Sequence, residues 1–233
     1  MNGPNGPSPG IRSREMAVTP DRGWRSAHRW LAGAGLLLGL LLGSLATATG
    51  TETPQAVIRR TAEQVLQILQ RRHPATPEEQ AAIIEQIVLP HVDIQRGARL
   101  VLGKYWRRFR PGQRQRFISG FRQLIIRTYA GSLGDYHGEH IRYLPEHNRI
   151  RDDEALIRTQ LVQPDGPPVA VDYHLHRRQG RWLVYDVSVE GVSLALNYRS
   201  TFAEQIRRQG IEGFLAHLDQ VTLPAPVPGP NKR

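Results

Sequence analysis

The chain has 233 residues, no cysteine and a formal charge of +10. The absent thiols exclude disulfides, thiolate metal sites, a cysteine nucleophile and a lipid-modified cysteine anchor, and the length allows one or two domains once non-globular ends are set aside. Arginines scattered through amphipathic elements, rather than gathered in a run with interleaved aromatics, argue against nucleic acid and leave an anionic membrane surface, an acidic protein partner or a merely solvated basic surface.

The run Leu31 to Ala48 is apolar, preceded by Arg22, Arg25 and Arg29, and ends in the small residues Ala46 and Ala48. That order of basic, apolar and small-residue regions is a cleaved secretory signal, with a mature chain starting at or near Thr49. The competing reading is an uncleaved anchor, because the run is just long enough to span a bilayer; its glycines and small-residue end favour cleavage. Met16 is an alternative start after a linker-like opening. Removing five leader arginines with Glu15 and Asp21 leaves 26 basic and 19 acidic groups, a charge of +7. The expected organisation is a leader and signal over 1–48, one domain over 49–220 and a disordered Pro/Gly-rich tail over 221–233.

Within the domain, Pro54 to His73 carries Ile58, Ala62, Val65, Leu66 and Leu69 at helical spacing. Thr76-Pro77-Glu78-Glu79 is a capping box opening a second helix, with Ile83, Ile84, Ile87 and Val88 on one face and Pro90 as its stop. Asp93 caps a third helix through Ala98, Val101 and Leu102. A fourth runs from near Pro111 to about Tyr136, with Phe117, Phe121, Leu124, Ile125, Thr128 and Tyr129 at intervals of three and four.

From His140 the period falls to two. Strands are expected at Ile141 to Leu144, over Ala155 to Val162, and after the Pro164-Asp165-Gly166-Pro167 turn, where Val169, Val171, Tyr173 and Leu175 oppose Ala170, Asp172, His174 and His176. A fourth strand, Arg181 to Glu190, is apolar on both faces in part. The segment Val192 to Gln209 returns to helical spacing with Leu194, Tyr198, Phe202 and Ile206. Gly210 stands at its C-terminal cap, and a short helix follows over Ile211 to Leu218. Helices, an antiparallel meander and helices again define the α+β class.

Converging catalytic groups are not apparent. His174 and His176 share one strand face and could hold a metal, but their alternation with the apolar set reads as a solvent-facing pair. Asp186 and Glu190 could form an acid/base pair, against the simpler reading of a strand-end polar group and a turn. No nucleophile elbow or phosphate-binding glycine loop occurs. Large apolar side chains on the fourth helix, on three strands and over Val192 to Phe202 exceed what a small helix-on-sheet core requires.

Several segments carry a resemblance: Leu89-Pro90-His91-Val92-Asp93, Val101-Leu102-Gly103-Lys104-Tyr105-Trp106, Phe117 with Phe121 leading to Thr128-Tyr129-Ala130, and Tyr136-His137-Gly138. So do Trp182, Tyr185-Asp186-Val187, Val189-Glu190-Gly191-Val192-Ser193-Leu194, Asn197-Tyr198-Arg199 and Gly210-Ile211-Glu212-Gly213. In order and spacing these resemble the MlaC family of periplasmic phospholipid-binding proteins. The departures are the long leader and the Pro-rich tail.

The resemblance implies N-terminal helices packed on a curved antiparallel sheet of about four strands, with C-terminal helices, enclosing an apolar cavity. It implies a non-enzymatic carrier with no cofactor, holding phospholipid as cargo, and periplasmic through a cleaved signal. It implies exchange with an outer-membrane lipoprotein-porin complex and an inner-membrane ATP-driven lipid transporter, in the pathway that maintains outer-membrane lipid asymmetry. The apolar faces then nominate a lipid-lining set: Val101, Tyr105, Phe117, Phe121, Ile125, Tyr129, Ile157, Leu161, Val169, Val171, Tyr173, Leu175, Val192, Leu194, Tyr198 and Phe202. Lys104 and Arg199 are headgroup candidates. Catalytic and metal residues are expected to be absent, nucleic acid is not an expected partner, and the protein is expected to be a monomer. The alternative is a periplasmic cone-fold enzyme or binder for another apolar small molecule, which would need a buried acid or base among the inward strand residues.

Overall fold

The computed structural model describes residues 52–72 and 76–221. The leader and signal expected over 1–48 and most of the Pro/Gly-rich tail lie outside the described residues. Val221, assigned by composition to the tail, is buried against the helical core.

Local chemistry starts each helix. Helix α1 (Pro54–Arg71) has proline in its first turn, and the Thr53 hydroxyl accepts from the Ala56 amide at 3.1 Å. Thr76 does the same for Glu79 at 3.2 Å at the head of α2 (Pro77–Ile83), and Asp93 for Arg96 at 2.8 Å at the head of α3 (Ile94–Leu102). Each such cap satisfies an amide that the first turn leaves without a partner. Helix α4 (Pro111–Gly134) again opens on proline, with the Gln113 side chain reaching back to the Arg110 amide at 2.8 Å.

Pro90 does not stop the second helix where the sequence placed the stop. After Ile83 the chain widens into a π-helical turn over Ile84–Val88 and tightens into a 3-10 turn over Leu89–His91. Such an inserted residue rotates the side chains that follow it.

The sheet is antiparallel and open, with six strands where about four were expected: β1 (His140–Tyr143), β2 (Arg149–Arg151), β3 (Glu154–Val162), β4 (Val169–Arg178), β5 (Arg181–Val189) and β6 (Val192–Ser193). The order is β1-β3-β4-β5-β6, with β2 also on β3. The two additions are three and two residues long, too short to show a period. The register slips between His174 and Leu175, so that Val184 and Val187 both face the helices across an intervening bulge.

Helix α5 (Leu194–Ala216) spans both expected C-terminal helices, broken at Gly210 with φ 71° and ψ 177°, a conformation suited to glycine. Two cores result. All five phenylalanines of the chain (109, 117, 121, 202 and 214) pack among α3, α4 and α5. Their rings stack, tilt or meet edge to face with centroids between 5.4 and 6.4 Å apart, within the range over which aromatic pairs attract. A smaller core joins Val57 and Ile58 of α1 to Ala155, Ile157, Leu175, Trp182 and Val184 of the sheet.

Candidate functional site: an apolar pocket between helices and sheet

Two pockets of about 500 and 330 Å³ open between the helices and the inner face of the sheet. The larger runs under α1, whose Ile58, Thr61, Ala62, Val65, Leu66 and Leu69 form one wall. The C-terminal half of α4 and residues from β1, β3, β4 and β5 form the others. The smaller lies between the sheet and α3, α4 and the start of α5. Val88, Val92, Tyr129, Tyr173, Val184 and Val187 line both, so the two adjoin. Their volumes fall in the range of ligand sites, about 300–1,000 Å³.

The widened turn after α2 is part of this arrangement. Ile84 lines the smaller pocket and Val88 both, whereas Ile83 is buried outside either lining.

The larger pocket carries polar wall residues at Ser132, Asp135, Glu139 and Gln163, whereas the polar side chains common to both pockets are the tyrosines 129 and 173. The Tyr129 and Tyr198 hydroxyls meet at 3.1 Å. Burial pushes the Tyr129 phenol far above its ordinary value, and Tyr198 and Asp186 add to the shift. Burial likewise pushes Tyr173 up to about 12, helped by Tyr143 and opposed by Thr159. Burial first, then Arg60 and Arg181, hold His91 below its ordinary 6.5 against the opposing pull of Glu52. All four side chains therefore stay uncharged at neutral pH. The Thr61 hydroxyl is buried in the larger pocket without a protein partner.

Asp186 lines the smaller pocket but is committed to structure. One oxygen accepts from the Val187 and Ala195 amides at 2.9 and 3.2 Å, and the other from the Ser193 hydroxyl at 2.5 Å. Glu190 sits in a turn at φ 50° and accepts from the Ala170 amide. The two carboxylates thus have separate structural roles rather than facing each other across a cleft.

His174 and His176 are not the solvent-facing pair that alternation suggests. His174 Nε2 bonds the Ser188 hydroxyl at 3.0 Å, and His176 Nε2 bonds Asp93 Oδ2 at 2.9 Å. The head of α3 covers this part of β5, where the Asp93 amide donates to the Val184 carbonyl at 2.8 Å. Among the described residues no His/Cys/Asp/Glu group could hold a metal.

Of the nominated lining residues, Val101, Phe121, Ile125, Tyr129, Leu161, Val171, Tyr173, Leu194 and Tyr198 stand on pocket walls. Tyr105, Phe117 and Phe202 are buried in the helical core. Ile157 and Leu175 are buried beneath α1. Val169 is half-buried at the start of β4, opposite Leu161 and outside both linings. Val192 is 57% exposed.

The headgroup candidates are elsewhere too. Arg199 Nε donates to the Leu100 carbonyl at 2.9 Å, at the C-terminal end of α3, a position where a cation answers the exposed carbonyls. Lys104 is exposed, with its ammonium 5.6 Å from the Tyr105 ring centroid. The α1 wall was not among the nominated residues, although its three-and-four spacing is plain in the sequence.

Helices laid against one face of an open antiparallel sheet, with adjoining apolar pockets between the layers, define an α+β protein organised around a long apolar recess. A family model described as MlaC protein matches residues 59–220, and the chain belongs to the MlaC family. It is 25% identical over 180 residues to the intermembrane phospholipid transport system binding protein MlaC of Haemophilus influenzae, covering 75% of this chain and 84% of that one. It is 27% identical to the toluene tolerance protein ttg2D of Pseudomonas putida, covering 75% and 82%. Among solved structures, it matches the phospholipid-binding protein from Ralstonia solanacearum in complex with a phospholipid. That match has a TM-score of 0.65 and 28% identity, and covers 72% of this chain and 95% of the other.

Proposed function

We propose that this protein is a periplasmic carrier of glycerophospholipids, exported by its leader and working as a monomer without catalysis or cofactor. It takes lipid between an outer-membrane lipoprotein-porin complex and an inner-membrane ATP-driven transporter, and so maintains outer-membrane lipid asymmetry. The observation that carries the reading is the pair of adjoining apolar pockets in a chain whose fold matches a protein holding a phospholipid.

The physical need is large. A two-chain lipid drawn into water exposes ~30 methylenes at ~0.8 kcal/mol each, on the order of 20 kcal/mol. A wall of valine, leucine and isoleucine side chains removes nearly all of that cost. Walls with few polar groups also favour acyl chains over any particular headgroup.

Native mass spectrometry of the protein purified from cells, paired with organic extraction, tests the reading. The expected result is diacyl phospholipid at about one molecule per chain. Repeated lipid-free preparations of folded protein would count against it.

A further inference from the structure

The pockets leave one surface of the molecule unexplained. From Arg96 to Arg116 the chain carries arginine or lysine at 96, 99, 104, 107, 108, 110, 114 and 116 and no acidic residue. Arg96 pairs with Glu154, and Arg110 and Arg116 with Glu212. Arg99, Lys104, Arg107 and Arg108 are exposed, and among the described residues no carboxylate is within ion-pair reach of them. Half-buried Trp106 sits among them, its ring centroid 5.5 Å from the Arg99 guanidinium and 5.2 Å from that of Arg114.

Two of the three large hydrophobic residues exposed among the described ones, Val192 at 57% and Leu196 at 52%, stand in β6 and in the first turn of α5, the helix that packs on α3. Val192 is thrust out by the tight turn at Glu190 and Gly191, whose φ angles are 50° and 77°. Leu196 is one turn before Arg199 on α5, and Arg199 is the side chain that joins α5 to the Leu100 carbonyl of α3. Val101, a wall of the smaller pocket, lies between Arg99 and Lys104 of this basic corner.

We propose that this corner is a docking surface for an anionic lipid bilayer, with Arg99, Lys104, Arg107 and Arg108 on the headgroups and Val192 and Leu196 entering the interface. Cations without carboxylate partners, an aromatic ring between them and aliphatic side chains exposed at a turn and on the helix after it are what a charged, soft surface recognises. An acidic protein would offer the cations equal attraction, but it gives two exposed aliphatics no fluid interior to enter. The inference is independent of whether the pockets carry lipid.

Co-sedimentation with vesicles of phosphatidylglycerol and phosphatidylcholine, against vesicles of phosphatidylcholine alone, tests it on the protein as recovered from expressing cells. Binding is expected to the anionic vesicles only and to fall as salt rises. Arg107→Glu with Arg108→Glu should lower the partition about a hundredfold or more, and Val192→Ser with Leu196→Ser about tenfold. Arg149→Glu with Arg151→Glu makes the same charge change on β2, at the opposite edge of the sheet, and should lower it far less. All these positions are exposed, so circular dichroism should report an unchanged fold. Equal loss from the two charge-reversed pairs would assign binding to net charge and overturn the proposal. So would failure of the wild type to bind anionic vesicles, including the case where it binds only an acidic protein.

Discussion

The hydroxyls of Tyr129 on α4 and Tyr198 on α5 meet at 3.1 Å where the walls of the two pockets join. A polar pair in an apolar wall is tolerated because each oxygen answers the other; removing the Tyr198 hydroxyl leaves that of Tyr129 poorly satisfied. Tyr129→Phe and Tyr198→Phe are each expected to cost about 1 kcal/mol, and the double substitution little more than the larger single effect. Urea unfolding of the three variants measures the coupling. Strict additivity would mean that the two hydroxyls do not act as a pair.

Asp93 ties three parts of the molecule together, capping α3 while bonding His176 on β4 and standing 3.6 Å from Arg178. Burial alone would raise its carboxyl, but the Arg96 amide, His176 and Arg178 outweigh burial and hold it below its ordinary 3.8. A lowered carboxyl contributes stability that is complete above its ordinary value and is lost as pH falls through the lower folded one. Asp93→Asn keeps a good capping residue and loses the charge. The variant should therefore show a flatter fall in urea midpoint between about pH 5 and pH 2 than the wild type. Parallel curves would mean that Asp93 is not one of the groups behind acid unfolding.

Helix starts were legible in the sequence because capping is local: Thr76, Asp93 and Pro111 announce themselves within four residues. The break at Gly210 was legible for the same reason. The solvent-facing reading of His174 and His176 failed because alternation describes a strand alone, whereas the head of α3 folds back over β5 and supplies Asp93 from 83 residues away. The π-helical turn after Ile83 was invisible, since it changes which face Val88 presents without changing the composition. The hardest distinction was between a filled core and a pocket wall. Phe117 and Tyr129 lie on one helix at compatible spacing, yet the former is buried among four other phenylalanines and the latter borders open space. That difference is made by α5 and the sheet, which no local pattern in α4 contains.

The same distinction has an energetic consequence. Phe202 is fully buried and touches the Phe117, Phe121 and Phe214 rings, so Phe202→Ala should cost about 3–5 kcal/mol. Val65 is half-buried on the α1 wall of the larger pocket, with open space already on one side. Val65→Ala should cost about 1 kcal/mol or less and change the lipid recovered with the protein more than its melting temperature. Comparable losses of stability would make the α1 wall part of a filled core.

Val171 and Leu175 are the sharpest pair, because they stand on the same face of β4, four residues apart, in different surroundings. Leu175 has no exposed surface and packs with Ile157, Trp182 and Val184 beneath α1. A glutamate there has neither a partner nor a route to water, and a buried unpaired carboxylate costs several kcal/mol, enough to unfold a typical domain. Val171 is half-buried and borders the smaller pocket, while its carbonyl, which accepts from the Thr159 hydroxyl at 2.9 Å, is untouched by a side-chain change. A carboxylate at that position can be hydrated once the pocket is empty. Val171→Glu is therefore expected to give a folded protein that has lost its phospholipid, whereas Leu175→Glu is expected to lose its cooperative thermal transition. Calorimetry combined with lipid extraction separates the outcomes. A Val171→Glu protein that keeps its full lipid content would remove the smaller pocket from the binding site and leave the recess beneath α1 to hold the acyl chains alone.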